Sequence, residues 1–339
     1  MGIFDKIANY KQSVKYHKLK VQYNIYTSLL KLLYVKIVRR KTVYVIILPE
    51  HIGDVIAFTP FAERVKIKDK NAFIAWLINP KYFSIIENNG FINYCIPIYC
   101  DAVAEYYTNN QLFKITDVRF NGNNFCNICS TNRKYQTIDN NFNLENYYEY
   151  GSLLEIFSNL AGDLMRKEDS FPKINIPEST ISNISKLNLP ESFICIHTSS
   201  NDENREWLYE KWRELIFKIF ENLNIKIVQV GLKDFLEIRN ENFIDLCGKL
   251  SLIETAEVIN RSKLFIGIDS GPAHMANALG IKSVILLGKY RKITNYMPFS
   301  GNFANGIKSK IIYNPEIRCS EIEVNEVYDQ LQLLLNSNE

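Results

Sequence analysis

Residues 263–288 read KLFIGIDSGPAHMANALGIKSVILLG and carry a strand, a turn, a helix and a second strand without a break. LFIGI is apolar and β-branched, as a strand buried on both faces of a parallel sheet requires. Asp269-Ser270-Gly271-Pro272 then opens a helix. Ser or Gly suits the N-cap, and Pro suits the first turn, where its missing N–H would have no partner anyway. Gly280 closes the helix and SVILLG begins the next strand. The first-turn amides and the positive end of the helix dipole converge at Ser270 and Gly271, which favours an anion. Without a Cβ, Gly271 lets a ligand approach the backbone. The plain alternative is an ordinary capped helix of an α/β protein.

Working outward, the same alternation continues. FICIHTSS (193–200), IKIVQVG (225–231) and FIDLCG (243–248) read as strands. SLIETAEVINRS (251–262) reads as a helix. Between Tyr209 and Leu223, Trp212, Leu215, Ile216, Ile219, Phe220 and Leu223 make an apolar stripe at helical spacing. A last helix is expected from Glu321 to Leu335. Toward the N-terminus, TVYVIILP (42–49) is a buried strand, followed by the loop Glu50-His51-Ile52-Gly53-Asp54 and a helix through Val65. FIAWLIN (73–79), YCIPIY (94–99) and ITDVRF (115–120) read as further strands, and GSLLEIFSNLAGD (151–163) as a helix. Residues 121–148 are Asn-rich and read as a long loop, and 164–191, with three prolines, as a linker. Strand–helix alternation of this kind gives parallel sheets. The domains expected are a basic arm (1–41), a first Rossmann-like domain (42–175), a second (176–320) and a C-terminal helix (321–339).

The arm carries ten Lys/Arg against one acid, Asp5, with apolar residues at helical spacing. Its longest uncharged run, Val21 to Leu30, is too short to span a bilayer, which takes ~20 residues. Two readings stand: an amphipathic helix lying on an anionic membrane surface, or a solvated helix packed on the first domain. The whole chain of 339 residues has a net charge of only +3, which implies no nucleic-acid partner. Seven dispersed cysteines fit reduced thiols in a cytoplasm. Cys126-Asn-Ile-Cys129 stands as one CxxC without the second pair a metal knuckle needs, so it reads as loop.

The run from Asp269 to Gly280, D-S-G-P-x-H-x-A-x-A-L-G after an apolar strand, resembles the C-terminal signature of glycosyltransferase family 9, the heptosyltransferase family of lipopolysaccharide core biosynthesis. Two further stretches are similar to the family: Ile52-Gly53-Asp54-Val55, and His197-Thr198-Ser199-Ser200 with Arg205-Glu206-Trp207 and Trp212 behind it. The resemblance implies a GT-B fold, α/β with two Rossmann-like domains whose parallel sheets face a central cleft. It implies an inverting, metal-independent transferase that moves a sugar, heptose by analogy, from a nucleotide-diphosphate donor to a lipopolysaccharide-type or other glycan acceptor. Such an enzyme is cytoplasmic, or peripheral on the inner face of the bacterial inner membrane.

In the family Asp54's position holds the general base, and the chemistry agrees. A sugar hydroxyl is a poor nucleophile, and a carboxylate in reach takes its proton as the new bond forms. The bland role for Asp54 is an acid complementing a helix dipole. His51 and Gly53 flank it on the acceptor side, and His51 reads as a loop histidine or as an alternative base. Ser199, Ser200, Arg205, Asp269, Ser270, Gly271 and His274 would bind the donor. A cation at Arg205 stabilises the departing diphosphate; family members often have Lys there, and the Pro usual after the first Trp is Leu208. Trp207 and Trp212 read as packing residues. Lys233 and Asp234 stand where relatives place a Glu for the nucleotide, which leaves the donor base open. No D-x-D pair, zinc cluster, Walker A or GxGxxG occurs, so no metal or other cofactor is expected. Two alternatives remain: a non-catalytic nucleotide-sugar-binding protein of the same fold, and a nucleotide-sugar epimerase.

Overall fold

The computed structural model describes residues 3–48, 51–98, 102–108, 111–119, 125–126, 131–132, 146–163, 171–233, 235–306 and 308–337. Side chains are described from residue 19 onward, apart from those of 102, 125–126 and 131–132. The chain divides into two compact units. One comprises Met1–Glu50, Phe61–Phe83 and Gly90–Leu144; the other comprises His51–Pro60, Ser84–Asn89 and Glu145–Glu339.

The elements begin with α1 (Ile3–Ile37), β1 (Thr42–Ile47), α2 (Ile52–Ala57), α3 (Thr59–Lys68), β2 (Ala72–Ile78), α4 (Phe83–Ile86) and β3 (Tyr94–Pro97). Then come α5 (Ala102–Thr108), β4 (Lys114–Asp117), and the two-residue strands β5 (Phe125–Cys126) and β6 (Thr131–Asn132). The first unit is built on a parallel sheet of order β3-β2-β1-β4. Its core joins Val43, Val45 and Ile47 to Ala75, Leu77 and Ile96, and takes Ile25, Leu32 and Val35 from α1. One face of the basic arm is therefore packed. The other leaves Leu19, Tyr23, Tyr26, Leu30, Tyr34 and Ile37 exposed, also at helical spacing. Cys129 of the CxxC lies outside the described residues, as does most of 121–148.

The helix expected from Asp54 through Val65 is two helices, α2 and α3. Pro60 has no N–H to give the Ile56 carbonyl, and the Thr59 hydroxyl donates to that carbonyl instead (2.8 Å). This break frees α2 to belong to the second unit while most of α3 belongs to the first.

The second unit continues with α6 (Leu153–Leu160), α7 (Glu178–Ser185), β7 (Phe193–His197), α8 (Tyr209–Leu223), β8 (Lys226–Gln229), β9 (Phe243–Asp245), α9 (Leu252–Arg261), β10 (Leu264–Ile268), α10 (Gly271–Leu279), β11 (Ser283–Leu287), β12 (Ser309–Tyr313) and α11 (Val324–Asn336). Its sheet runs β12-β11-β10-β7-β8-β9, all parallel, with β10 and β7 central. Every residue of β7, β10 and β11 is buried. Trp212, Leu215, Ile216 and Ile219 of α8 join the core beneath them; each such side chain contributes on the order of 1.5–3 kcal/mol of burial. Strand β12 was not legible in the sequence, because a short edge strand carrying Lys310 lacks the apolar run of its neighbours. The last helix starts at Val324, after a 3-10 turn at Cys319–Glu321.

Candidate active site

The β10–α10 turn takes the form its residues dictate. Ser270 is the N-cap with extended backbone, and Gly280 ends the helix in the left-handed conformation (φ 67°). The Ser270 hydroxyl, however, makes no capping bond: its Oγ is buried and has no hydrogen-bond partner. Pro272 lacks an amide proton, so Gly271 and Ala273 are the first-turn donors. A buried hydroxyl with an open valence beside two such amides is disposed to receive an anionic ligand.

Helix α2 packs directly on α10. A Cβ on Gly53 would lie 2.7 Å from Cδ2 of His274, and one on Gly271 would lie 2.4 Å from Cγ2 of Ile52. Each motif thus supplies the glycine that admits the other. Asp54 sits in the first turn of α2, where Oδ2 accepts the backbone N–H of His51 at 3.2 Å. The His51 imidazole is exposed and stands 3.7 Å from the same oxygen. Its exposure fits the loop-histidine reading. The charge of Asp54 is also felt at the aromatic pair Tyr147–Tyr148. Burial raises the Tyr147 phenol against a hydrogen bond with Tyr148 that lowers it; Tyr290 and Asp54 raise it further, and Arg205 pulls it down. Asp54 and Arg205 therefore act on one buried hydroxyl.

Arg205 lies in the 3-10 turn after β7. Its Nη1 donates to Asp269 Oδ2 at 2.9 Å and its Nη2 to the Tyr290 hydroxyl at 3.3 Å. Burial works against the guanidinium charge, but Asp269 outweighs it and holds the pKa above the ordinary arginine value. Burial likewise opposes the Asp269 carboxylate, and Arg205, then His274 and Tyr296, overcome it, leaving the carboxyl lowered to about 2. His274 is buried, with Nε2 3.7 Å from Asp269 Oδ1, its ring against Phe299 at 4.6 Å, and Nδ1 without a partner. Nε of Arg205 is also buried and makes no hydrogen bond; the Asp202 carboxylate stands 4.0 Å away.

The β7 loop is shaped by Glu206, which accepts the Ser200 amide at 2.9 Å, and by Ser200 Oγ, which accepts the Asp202 amide at 3.2 Å. Ser199 is half-buried beside it. Trp207 and Trp212 are buried and meet edge to face, with Trp207 Nε1 donating to the Ile322 carbonyl, so both are packing residues. Lys233 is exposed and lies over the Phe235 ring; Asp234 lies outside the described residues. Among the described residues no three His, Cys, Asp or Glu gather as a metal would need.

Asp54, Arg205, Asp269, Ser270, Gly271 and His274 thus converge in the second unit. Four residues at this place were not singled out in the sequence: Tyr147, Tyr148, Tyr290 and Tyr296. The tyrosines of YYEY at 147–150 gave the one available signal, an aromatic cluster in a stretch otherwise poor in pattern.

Comparison with known proteins agrees. Residues 152–310 match the family model for glycosyltransferase family 9 (heptosyltransferase). Lipopolysaccharide heptosyltransferase 1 of Campylobacter coli is 24% identical over 279 residues, which span 70% of this chain and 81% of that protein. A family 9 glycosyltransferase from Veillonella parvula superposes with a TM-score of 0.66 at 18% identity, covering 87% of this chain and 97% of that one. The E. coli ADP-heptose lipopolysaccharide heptosyltransferase II gives 0.64 at 16% identity, covering 86% and 98%. The structural likenesses show the GT-B fold.

Proposed function

We propose that the chain, whose residues 152–310 match the family 9 model, is a glycosyltransferase of that family that transfers heptose from ADP-heptose to a lipopolysaccharide-type acceptor, with inversion and without a bound metal. In this reading Asp54 takes the proton from an acceptor hydroxyl. The hydroxyl oxygen forms its bond to the anomeric carbon as the bond from that carbon to the diphosphate oxygen breaks, and the electron pair leaves on the diphosphate. Arg205, the Ser270 hydroxyl and the first-turn amides of α10 receive that charge.

One observation carries the proposal. The α2 motif is folded onto the start of α10, so that the carboxylate of Asp54 shares a neighbourhood with three buried atoms that make no hydrogen bond, Arg205 Nε, Ser270 Oγ and His274 Nδ1. A fixed guanidinium and helix-terminal amides supply the positive charge that a divalent cation supplies elsewhere, which supports metal independence. The donor identity comes from the named relatives. The non-catalytic and epimerase readings are not favoured, since the family model and the curated relative both point to transfer.

No helix among the described residues is long and apolar enough to cross a membrane. The exposed Tyr and Leu face of α1 and the arm's lysines support a peripheral contact with an anionic inner-leaflet surface, on the cytoplasmic side.

The test is release of ADP from ADP-heptose with and without a lipopolysaccharide core acceptor, repeated with EDTA. Acceptor-dependent release that EDTA leaves unchanged is expected. Abolition by EDTA would remove metal independence. ADP binding without any release would identify a binding protein, and an altered sugar without acceptor an epimerase.

A further inference from the structure

Arg205 closes a ring of four side chains with Asp269, Tyr296 and Tyr290. Its Nη1 donates to Asp269 and its Nη2 to the Tyr290 hydroxyl. The Tyr290 ring also lies under the guanidinium, 4.8 Å from Cζ to the centroid. Tyr290 stacks on Tyr296 at 4.7 Å and 23°. The Tyr296 hydroxyl donates to Asp269, on the oxygen that Arg205 also uses. Tyr148 stands edge-on to both rings, 6.0 Å from Tyr290 and 4.8 Å from Tyr296.

The ring is anchored from outside the motifs. Glu149 accepts the Thr294 amide at 3.1 Å and its hydroxyl at 3.3 Å. Leu153 N–H donates to the Pro298 carbonyl at 3.2 Å. The segment carrying Tyr148 is thereby stapled to the one carrying Tyr290 and Tyr296. An exposed arginine keeps several rotatable bonds and a guanidinium free to turn. Here stacking and two hydrogen bonds, one of them also an ion pair to Asp269, fix the plane, and Nε, which makes no hydrogen bond, stands 4.0 Å from the Asp202 carboxylate.

We propose that Tyr290 and Tyr296 are positioning residues for transfer, holding the Arg205 guanidinium in the one orientation from which its charge acts on the donor diphosphate. Tyr290 acts on the guanidinium directly, by stacking and by accepting from Nη2. Tyr296 acts through Asp269, whose shared oxygen it fixes. This rests on the reading of Arg205 as the diphosphate cation. It explains why arginine is suited to this chain: a lysine ammonium has no plane for Tyr290 to stack on and no second nitrogen for its hydroxyl to meet.

The experiment measures kcat and donor KM for acceptor-dependent ADP release from ADP-heptose, with melting temperature as the folding control. Tyr290→Phe keeps the stacked ring and removes the acceptor; Tyr296→Phe removes the donor to Asp269. Each is expected to lower kcat roughly ten- to a hundredfold while donor KM moves by about twofold or less, as misplacement of a transition-state group does. In an Arg205→Lys background, Tyr290→Phe is expected to change kcat no further, because the contact it removes is already gone. Equal factors in both backgrounds, or both Phe variants at wild-type kcat, would overturn the positioning role while leaving Arg205's own role intact. Arg205→Ala at wild-type turnover would overturn the diphosphate reading itself, and this inference with it.

Discussion

The two units are built alike and used differently. Both rest on parallel sheets with buried central strands, four strands in the first and six in the second. Yet every residue that converges at the site, Asp54 included, belongs to the second. The first unit contributes instead a long helix with one packed face and one bare face. The contrast teaches that sheet topology by itself selects no chemistry. What distinguishes the second unit is a place where charged groups are buried and incompletely paired.

The sharpest way to break that contrast is Asp54→Asn. The amide oxygen can still accept the His51 N–H, so the helix cap survives while the base is lost. Turnover is expected to fall roughly 10²–10⁴-fold with donor affinity and melting temperature near wild type. Normal turnover would return Asp54 to the role of a capping acid.

A second measurement uses His197, at the end of β7. Burial lowers its imidazole to about 4 from 6.5, so the unfolded chain binds the extra proton between those values. The resulting stability is complete above about pH 6.5 and is lost as pH falls through about 4, amounting to ~3 kcal/mol. His197→Gln is expected to flatten the stability–pH curve across that window, read by urea unfolding; an unchanged slope would show that the histidine is not buried neutral. Asp269 contributes in the same direction at lower pH, its stabilisation lost as pH drops below about 4 toward about 2.

A third, Gly271→Ala, probes the approach of α2 to α10. The added methyl meets Cγ2 of Ile52 at 2.4 Å, so a destabilisation of about 1–3 kcal/mol is expected together with loss of turnover. Ile52→Ala in the same chain makes room and is expected to restore part of both. No interaction between the two substitutions would mean that the helices do not meet this way.

The smallest effect belongs to the first unit. Replacing Tyr26 and Leu30 with Ser on the bare face of α1 leaves its packed residues Ile25, Leu32 and Val35 in place. Cosedimentation with phosphatidylglycerol-rich vesicles is expected to weaken by about 1 kcal/mol or more, and added salt to weaken it further. Unchanged sedimentation would remove the membrane contact and leave α1 as a structural helix.

Much of this molecule was readable along the chain, because the signals are local. Alternating apolar runs placed the strands, the α8 stripe named its buried face, and Gly280 marked the end of α10. The family signature then pointed to Asp54, Arg205 and the α10 turn. What the sequence misjudged was also local in origin: Pro60 splits one expected helix into two, and β12 hides at an edge. Only the tertiary structure decided which distant groups meet. Nothing near Tyr290 or Tyr296 announces Arg205, and nothing near Gly53 announces His274, because these contacts cross 85 residues or more of chain and are set by packing. Periodicity and capping are properties of neighbours in sequence. The partner of a buried charge is fixed when a low-dielectric interior leaves it no water to turn to.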